Sequence, residues 1–130
     1  FWKNYSRYDQ VVNKSSMRST VDAIIYWKFL NHYQFKNFLE IGVYQGLTTG
    51  LFFESHPNAS VDAVDPVDNL SLFREIYAEF VPQLNFINKD SRSVTYSKHY
   101  DFILVDGNHE YDFVMTDIKN IMQQKILKQY

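Results

Sequence analysis

The stretch FLEIGVYQG, residues 38–46, decides the fold of this 130-residue chain. It starts as a short apolar run that stops at Gly42, which predicts a buried β-strand followed by a sharp turn. Helical periodicity resumes at Gln45, so the stretch indicates a strand, a glycine turn and a helix. The chain has only four glycines and three of them lie within residues 42–50, where we expect the backbone to turn or to approach a ligand closely.

The alternation of helices and strands continues on both sides of this stretch. Further strands are predicted at 61–66, 84–88 and 100–106, helices at 17–32, 45–53, 70–80 and 111–127, and one weak helical turn within 91–99. Nearly continuous apolar strands between helices predict an α/β, Rossmann-like fold with a parallel sheet in the order 3-2-1-4. We expect residues 1–14 to be an irregular lead-in, a helix cap at Ser15-Ser16, and a single domain over 15–130.

Composition argues against several classes of protein. Thirteen basic and fifteen acidic residues give a formal net charge of −2, which disfavours a strongly basic nucleic-acid binder and a polybasic membrane-surface protein. The sequence has no apolar run near the roughly 18–20 residues of a membrane span. It contains no cysteine for a disulfide, a thiolate metal site or a nucleophile. We therefore expect a cytoplasmic domain with neither nucleic acid nor membrane as a partner.

Each predicted strand carries a carboxylate at or just after its carboxyl end. Ligands of parallel α/β sheets bind at this edge, beside the switch point between the first and fourth strands. Asp65 would accept hydrogen bonds from ribose hydroxyls, with a turn aspartate as the alternative. Asp90 and Ser91 would bind an adenine amino group, with a helix N-cap as the alternative. A plain solubility role is the alternative for the whole set, which is Glu40, Asp65, Asp90 and Asp106.

The glycine turn, Glu40-x-Gly42-x-x-x-Gly46, suits close approach of the backbone to a bound group at a helix N-terminus. It lacks the third glycine of the dinucleotide fingerprint, which disfavours a nicotinamide site. Glu40 would also repel a pyrophosphate, so an enzyme using a phosphorylated nucleotide is the weaker alternative.

The sharpest local signal is DGNHEY, residues 106–111, on the loop that leaves the strongest predicted strand. His109 is a natural general base near neutral pH, and Asp106 could orient a substrate hydroxyl or hold a hard cation. A solvent-bonded residue at a helix start is the alternative for His109. The remaining histidines are interpreted as surface residues: His32, His56 and His99.

Together these residues resemble class I S-adenosylmethionine-dependent methyltransferases over about residues 38–121. FLEIGVYQG is similar to the first motif of that family and Val64-Asp65-Pro66 to its second-strand acid. DGNHEY followed by Asp117 is similar to a branch of small-molecule O-methyltransferases that includes macrolide-sugar enzymes.

The resemblance implies a role for each matching residue. Glu40, Gly42, Tyr44 and Gly46 would line the methionine and ribose part of S-adenosylmethionine, Asp65 would bind the ribose, and Asp90 and Ser91 would lie near adenine. Asp106 would contact the cofactor, act in catalysis and ligate a divalent ion such as Mg²⁺. His109 would be the general base that deprotonates the acceptor.

The function implied is O-methylation of a small hydroxylated acceptor such as a sugar. The alternative is a truncated, non-catalytic module that binds S-adenosylmethionine or a nucleoside, or that serves assembly. Relatives normally have seven strands, and this chain is expected to lack strands 5–7. A fragment, a natural short form, or a homo-oligomer that covers the edge of the fourth strand would each account for that.

Overall fold

The computed structural model of the protein describes residues 20–128. The lead-in predicted at 1–14 and the cap predicted at Ser15-Ser16 lie outside the described residues. The elements alternate as predicted: α1 (Thr20–His32), β1 (Asn37–Ile41), α2 (Leu47–Ser55), β2 (Ser60–Val64), α3 (Ser71–Ile76), a 3₁₀ helix (Ala78–Gln83), β3 (Leu84–Ile87), a short 3₁₀ helix (Ser91–Ser93), β4 (Phe102–Val105) and α4 (Tyr111–Gln124).

The four strands form one parallel sheet in the order β3-β2-β1-β4, which confirms the predicted topology. Ile41 at the end of β1 is level with Val64 of β2 and Val105 of β4. Backbone hydrogen bonds continue past the strand ends, because Gly42 N–H donates to Val64 (2.9 Å) and Asp106 N–H donates to Ile41 (2.8 Å). The loops after β1 and β4 therefore start side by side, at the switch point of the sheet.

Both faces of the sheet are covered, as the continuous apolar strands predicted. Successive side chains of a strand point to opposite faces, so Phe38 of β1 packs in an aromatic cluster under α2 and α3, whereas Leu39 packs under α4. Glu40 lies on the same face as Phe38 and is directed towards α2, where it is buried. This alternation turns an acid at the predicted ligand edge into a core residue.

The predicted helix 70–80 was wrong in its second half. α3 ends at Ile76, and Tyr77 leaves helical geometry (φ −119°, ψ 38°) with its side chain fully buried. A 3₁₀ helix containing Pro82 follows. Proline has no N–H and disfavours α geometry in the residue before it, so a tighter helix replaces the last α-turns.

The predicted last helix also ends early, at Gln124 rather than 127. Lys125 adopts a left-handed conformation (φ 51°), and the chain turns back beside the residues that precede β4. Tyr100 N–H donates to Ile126 (2.7 Å), Lys128 N–H donates to Tyr100 (3.0 Å), and Leu127 forms a parallel bridge with Tyr100. Ile126 is buried by this return rather than by the helix. The homo-oligomer at the β4 edge stays a prediction.

One histidine was wrongly assigned to the surface. His56 is 6% exposed, stacks on Phe52 (ring centroids 4.8 Å apart) and places Nε2 3.0 Å from the Tyr33 carbonyl oxygen. Its position just after α2 resembles a turn in the sequence, but the chain there folds back onto the core. Among residues 20–128, no helix is both long and apolar enough to cross a membrane.

Candidate functional site

The turn after β1 adopts backbone conformations that favour glycine. Gly42 (φ 84°) and Gly46 (φ 73°) are left-handed, and so is Tyr44 (φ 48°). A Cβ on Gly42 would lie 2.3 Å from Gly107 Cα, so the loops after β1 and β4 touch through bare backbone. Gly46 instead faces the side chain of Leu70, 2.7 Å from where its own Cβ would be. The first glycine thus shapes the ligand edge, while the second lets α3 pack closely.

Asp65, at the end of β2, holds this turn in place. Its Oδ2 accepts hydrogen bonds from the backbone N–H groups of Val43 and Tyr44, both at 3.0 Å, and its Oδ1 accepts from Val67 N–H at 2.9 Å. A carboxylate offers about four acceptor positions. Asp65 therefore retains acceptor capacity towards the cleft that it lines, as the predicted ribose contact requires.

The first cleft, of about 370 Å³, opens at the carboxyl edge between the ends of all four strands and α4. It brings together six of the eight residues predicted to bind the cofactor; Glu40 and Gly46 do not line it. The residues that line this cleft include Gly42, Tyr44, Asp65, Asp90, Ser91, Asp106, Phe113 and Asp117.

A second cleft, of about 380 Å³, adjoins the first. It is lined by Glu40, Gly42, Val43, Tyr44, Thr48, Asp106 and His109. Gly42, Tyr44 and Asp106 belong to both clefts, whereas His109 lines the second cleft alone. Of the predicted cofactor residues, Asp65, Asp90 and Ser91 line the first cleft alone, whereas Glu40 lines the second cleft with the predicted base His109.

Glu40 is the most perturbed acid of the site. It is 1% exposed, and the Thr49 hydroxyl donates a hydrogen bond to its Oε2. Burial raises the pKa of Glu40 to about 8, and the nearby Asp106 and Asp65 carboxylates raise it as well, against the opposite effect of the Thr49 hydrogen bond. Glu40 therefore mostly keeps its proton at neutral pH until a cation comes near it.

Asp106 lines both clefts, so its charge acts on ligands in either of them. Partial burial raises the pKa of the Asp106 carboxyl, and the neighbouring His109 lowers it. None of the described residues that line either cleft is a lysine or an arginine. An acidic edge of this kind suits a positively charged ligand and repels phosphates.

Tyr26 of α1 escaped the sequence-based prediction. Its hydroxyl is buried and has no hydrogen-bond partner among residues 20–128. Burial raises the pKa of Tyr26 well above its ordinary value, and the charges of Glu40 and Asp106 raise it further. In the sequence Tyr26 is one residue of an amphipathic helix, and nothing in that pattern shows that it faces two acids.

Asp90 has a structural role: it is the helix N-cap that the sequence offered as the alternative to adenine binding. It caps the short 3₁₀ helix, with Oδ1 accepting from Arg92 N–H at 3.0 Å and Arg92 Nε at 2.8 Å, and Oδ2 accepting from Arg92 Nη2. These bonds to Arg92 lower the pKa of Asp90 to about 2. Ser91 beside it donates to Asp117 Oδ1 at 2.6 Å, across to α4.

The predicted magnesium site at Asp106 finds no support in the donor set. Within residues 20–128, no three His, Asp or Glu side chains are arranged to hold a metal ion. Mg²⁺ binds through near-octahedral oxygen ligands, usually with carboxylates among them, and the other carboxyl group of the second cleft, Glu40, mostly keeps its proton at neutral pH.

The fold of this chain is similar to the folds of several methyltransferases of known structure. The structure is similar to that of the S-adenosylhomocysteine-bound methyltransferase PaMTH1 from Podospora anserina (TM-score 0.78, 19% identity, covering 95% of this chain and 56% of that one). It is also similar to the N-methyltransferase NodS from Bradyrhizobium japonicum (0.67, 16%, 95% and 66%) and to the plantazolicin methyltransferase BpumL (0.65, 18%, 95% and 48%), both bound to S-adenosylhomocysteine.

The chain spans between about half and two thirds of the length of these three proteins. A comparison with curated proteins gave no significant match. The family described as "Methyltransferase domain" matches residues 39–127, from β1 to the residues after α4. The chain, with its parallel sheet and glycine turn, therefore belongs to the methyltransferase domain family.

Proposed function

We propose that this domain binds S-adenosylmethionine in the first cleft and transfers its methyl group to a hydroxyl oxygen of a small acceptor, such as a sugar, in the second. The observation that carries the proposal is the shared wall of Gly42, Tyr44 and Asp106, with His109 on one side only. Clefts that share lining residues adjoin each other, so two reactants bound in them can lie side by side, which is the arrangement that a direct transfer between them needs.

The first cleft has the chemistry that this cofactor requires. Asp65 offers a hydrogen-bond acceptor for ribose hydroxyls at the end of β2. Asp106, which lines this cleft, offers negative charge for the ammonium and sulfonium groups of the methionine end. Three similar folds, PaMTH1, NodS and BpumL, bind S-adenosylhomocysteine according to their descriptions.

A side chain of the protein would accept the proton that the acceptor hydroxyl loses during the transfer. When bound, the cofactor supplies an electrophilic methyl group on a sulfonium, which leaves as a neutral thioether. His109 accepts the proton of the acceptor hydroxyl while the hydroxyl oxygen forms the new bond to the methyl carbon, and the carbon–sulfur electron pair returns to sulfur. The Asp106 carboxyl lies close enough to His109 for the imidazole to lower the pKa of Asp106, so the two side chains interact at the boundary of the two clefts.

Calorimetry with S-adenosylhomocysteine tests the cofactor. The wild-type protein should bind it, and Asp65→Asn should weaken binding by about 1–3 kcal/mol, because an unpaired polar partner is left at the ribose. Asp112→Asn removes the same charge from the exposed first turn of α4 and should leave affinity unchanged. Absence of binding by the wild-type protein contradicts the proposal.

Methyl incorporation from labelled S-adenosylmethionine into a panel of hydroxylated compounds, sugars included, tests the transfer. His109→Gln should lower kcat by about 10²–10⁴-fold, the usual contribution of a general base. Its affinity for S-adenosylhomocysteine should not change, because His109 does not line the first cleft. His99→Gln, in an exposed position, is the control. Cofactor binding without any transfer would instead favour the non-catalytic binding module.

A further inference from the structure

A carboxylate that the proposed chemistry does not use lies inside the first cleft. Asp117 of α4 is 5% exposed and lines that cleft. The Ser91 hydroxyl donates to its Oδ1 at 2.6 Å, and within residues 20–128 no other group donates to the Asp117 carboxylate. A carboxylate has about four acceptor positions, and a buried one is costly unless they are used. Asp117 therefore has unused acceptor capacity facing a ligand space.

The surroundings of Asp117 are fixed by a row of polar side chains on one face of α4. Asn120 Nδ2 donates to the Ser91 carbonyl at 3.2 Å, and Gln124 Nε2 donates to the Val94 carbonyl at 3.0 Å. Tyr96 N–H donates to Gln124 Oε1 at 2.8 Å. The segment after β3 is thus held against α4, and the Ser91 hydroxyl holds the Asp117 carboxylate in one orientation.

The other acid at this end of the cleft, Asp90, already accepts three hydrogen bonds. All three come from Arg92, its side chain included, and Asp90 caps its own helical turn. Among the described residues, no lysine or arginine lies within hydrogen-bond distance of the Asp117 carboxylate, which accepts one hydrogen bond, from Ser91. Of the two acids, Asp117 therefore has the larger unused acceptor capacity to offer to a ligand.

We infer that Asp117 binds the exocyclic amino group of the cofactor's adenine and so selects a 6-amino purine over a 6-oxo purine. This inference rests on the proposed function. Asp117 lines the first cleft but not the second, so it lies away from His109, at the end where β3 and Ser91 close the cleft. An amino group donates the hydrogen bond that the carboxylate lacks, whereas a 6-oxo group would place an oxygen lone pair against its charge.

Calorimetry with two ligands tests the inference: S-adenosylhomocysteine and its 6-oxo analogue S-inosylhomocysteine. The wild-type protein should prefer the adenosyl ligand, and Asp117→Asn should reduce this preference by at least about tenfold, because the amide can donate to the oxo group and the charge is gone. Asp112→Asn, the same substitution on the exposed part of α4, should keep the wild-type preference. An unchanged preference in Asp117→Asn, or a loss of preference in Asp90→Asn instead, overturns the inference.

A second measurement does not depend on the variant folding. In a crystal structure of the wild-type protein with S-adenosylhomocysteine, the amino nitrogen should lie about 3 Å from an Asp117 oxygen. An amino group directed at Asp90 or at solvent overturns the inference and leaves the proposed function standing. If the wild-type protein binds neither ligand, the proposed function itself fails.

Discussion

Replacing Glu40 by glutamine should make the ligand-free protein more stable, although it alters the site. Glu40 is buried beside α2, and burial raises its pKa from the ordinary 4.5 to about 8. The glutamine is never charged, and its carbonyl oxygen can still accept the Thr49 hydroxyl hydrogen bond. The substitution thus removes a titratable carboxyl from the core and keeps its hydrogen bond.

The sign and size of the effect follow from proton linkage. Because the folded-state pKa is raised, the folded protein keeps a proton that the unfolded chain has released, so wild-type stability falls as pH rises from 4.5 to about 8. At about 1.4 kcal/mol per pKa unit, the loss is about 1 kcal/mol at pH 5, about 3 at pH 7 and about 5 above pH 9. Between pH 5 and 8.5 the advantage of Glu40→Gln over wild type should therefore grow by about 4 kcal/mol.

Urea unfolding of both proteins at pH 5, 7 and 8.5 measures this difference directly. Glu75→Gln, the same substitution on the exposed side of α3, is the matched control. A pH-independent difference for Glu40→Gln, or one that shrinks as pH rises, refutes the reasoning.

Two further substitutions test the fold around the site. Gly42→Ala should destabilise the protein by about 2–4 kcal/mol in urea unfolding, since residue 42 is in a left-handed conformation and a Cβ would meet the Gly107 backbone at 2.3 Å. In the control Gly107→Ala, the atoms nearest to the new Cβ would be 3.9 Å away, so the substitution should cost under about 1 kcal/mol. Equal costs for the two substitutions would contradict the close approach of the two loops. Tyr100→Phe removes the hydroxyl that donates to the buried Asp62 at 2.5 Å and should cost about 1–3 kcal/mol; an unchanged urea midpoint would show that the bond contributes little.

The sheet could be predicted because its signal is local. An apolar run such as 100–106 between helical segments identifies a buried strand, and the handedness of parallel crossovers leaves few strand orders. Helix ends were less predictable, because they depend on tertiary contacts. Tyr77 continues the apolar helical spacing, but in the fold its ring lies against Gly50, where a Cβ would come within 2.1 Å, and the α-helix stops before it.

The position of the site followed from topology, since all parallel strands end at one edge. The partners of individual acids did not. Asp117 and Ser91 are 26 residues apart, and only the packing of α4 on the segment after β3 brings them together. Glu40 and Asp65 look equivalent in the sequence, as acids near the ends of strands. The direction of the strand pleat buries Glu40 beside Thr49, whereas Asp65 accepts hydrogen bonds from the backbone amides of the turn after β1.

The residues shared by the two clefts also limit how this domain could be redesigned for a new acceptor under the proposed function. With the methyl donor in the first cleft and the acceptor in the second, any change at Gly42, Tyr44 or Asp106 would alter recognition of both molecules together, because these residues line both clefts. Thr48 lines the second cleft alone and is only half-buried, whereas Val43 belongs to the core. Libraries aimed at Thr48 could vary the accepted molecule while leaving affinity for the methyl donor intact.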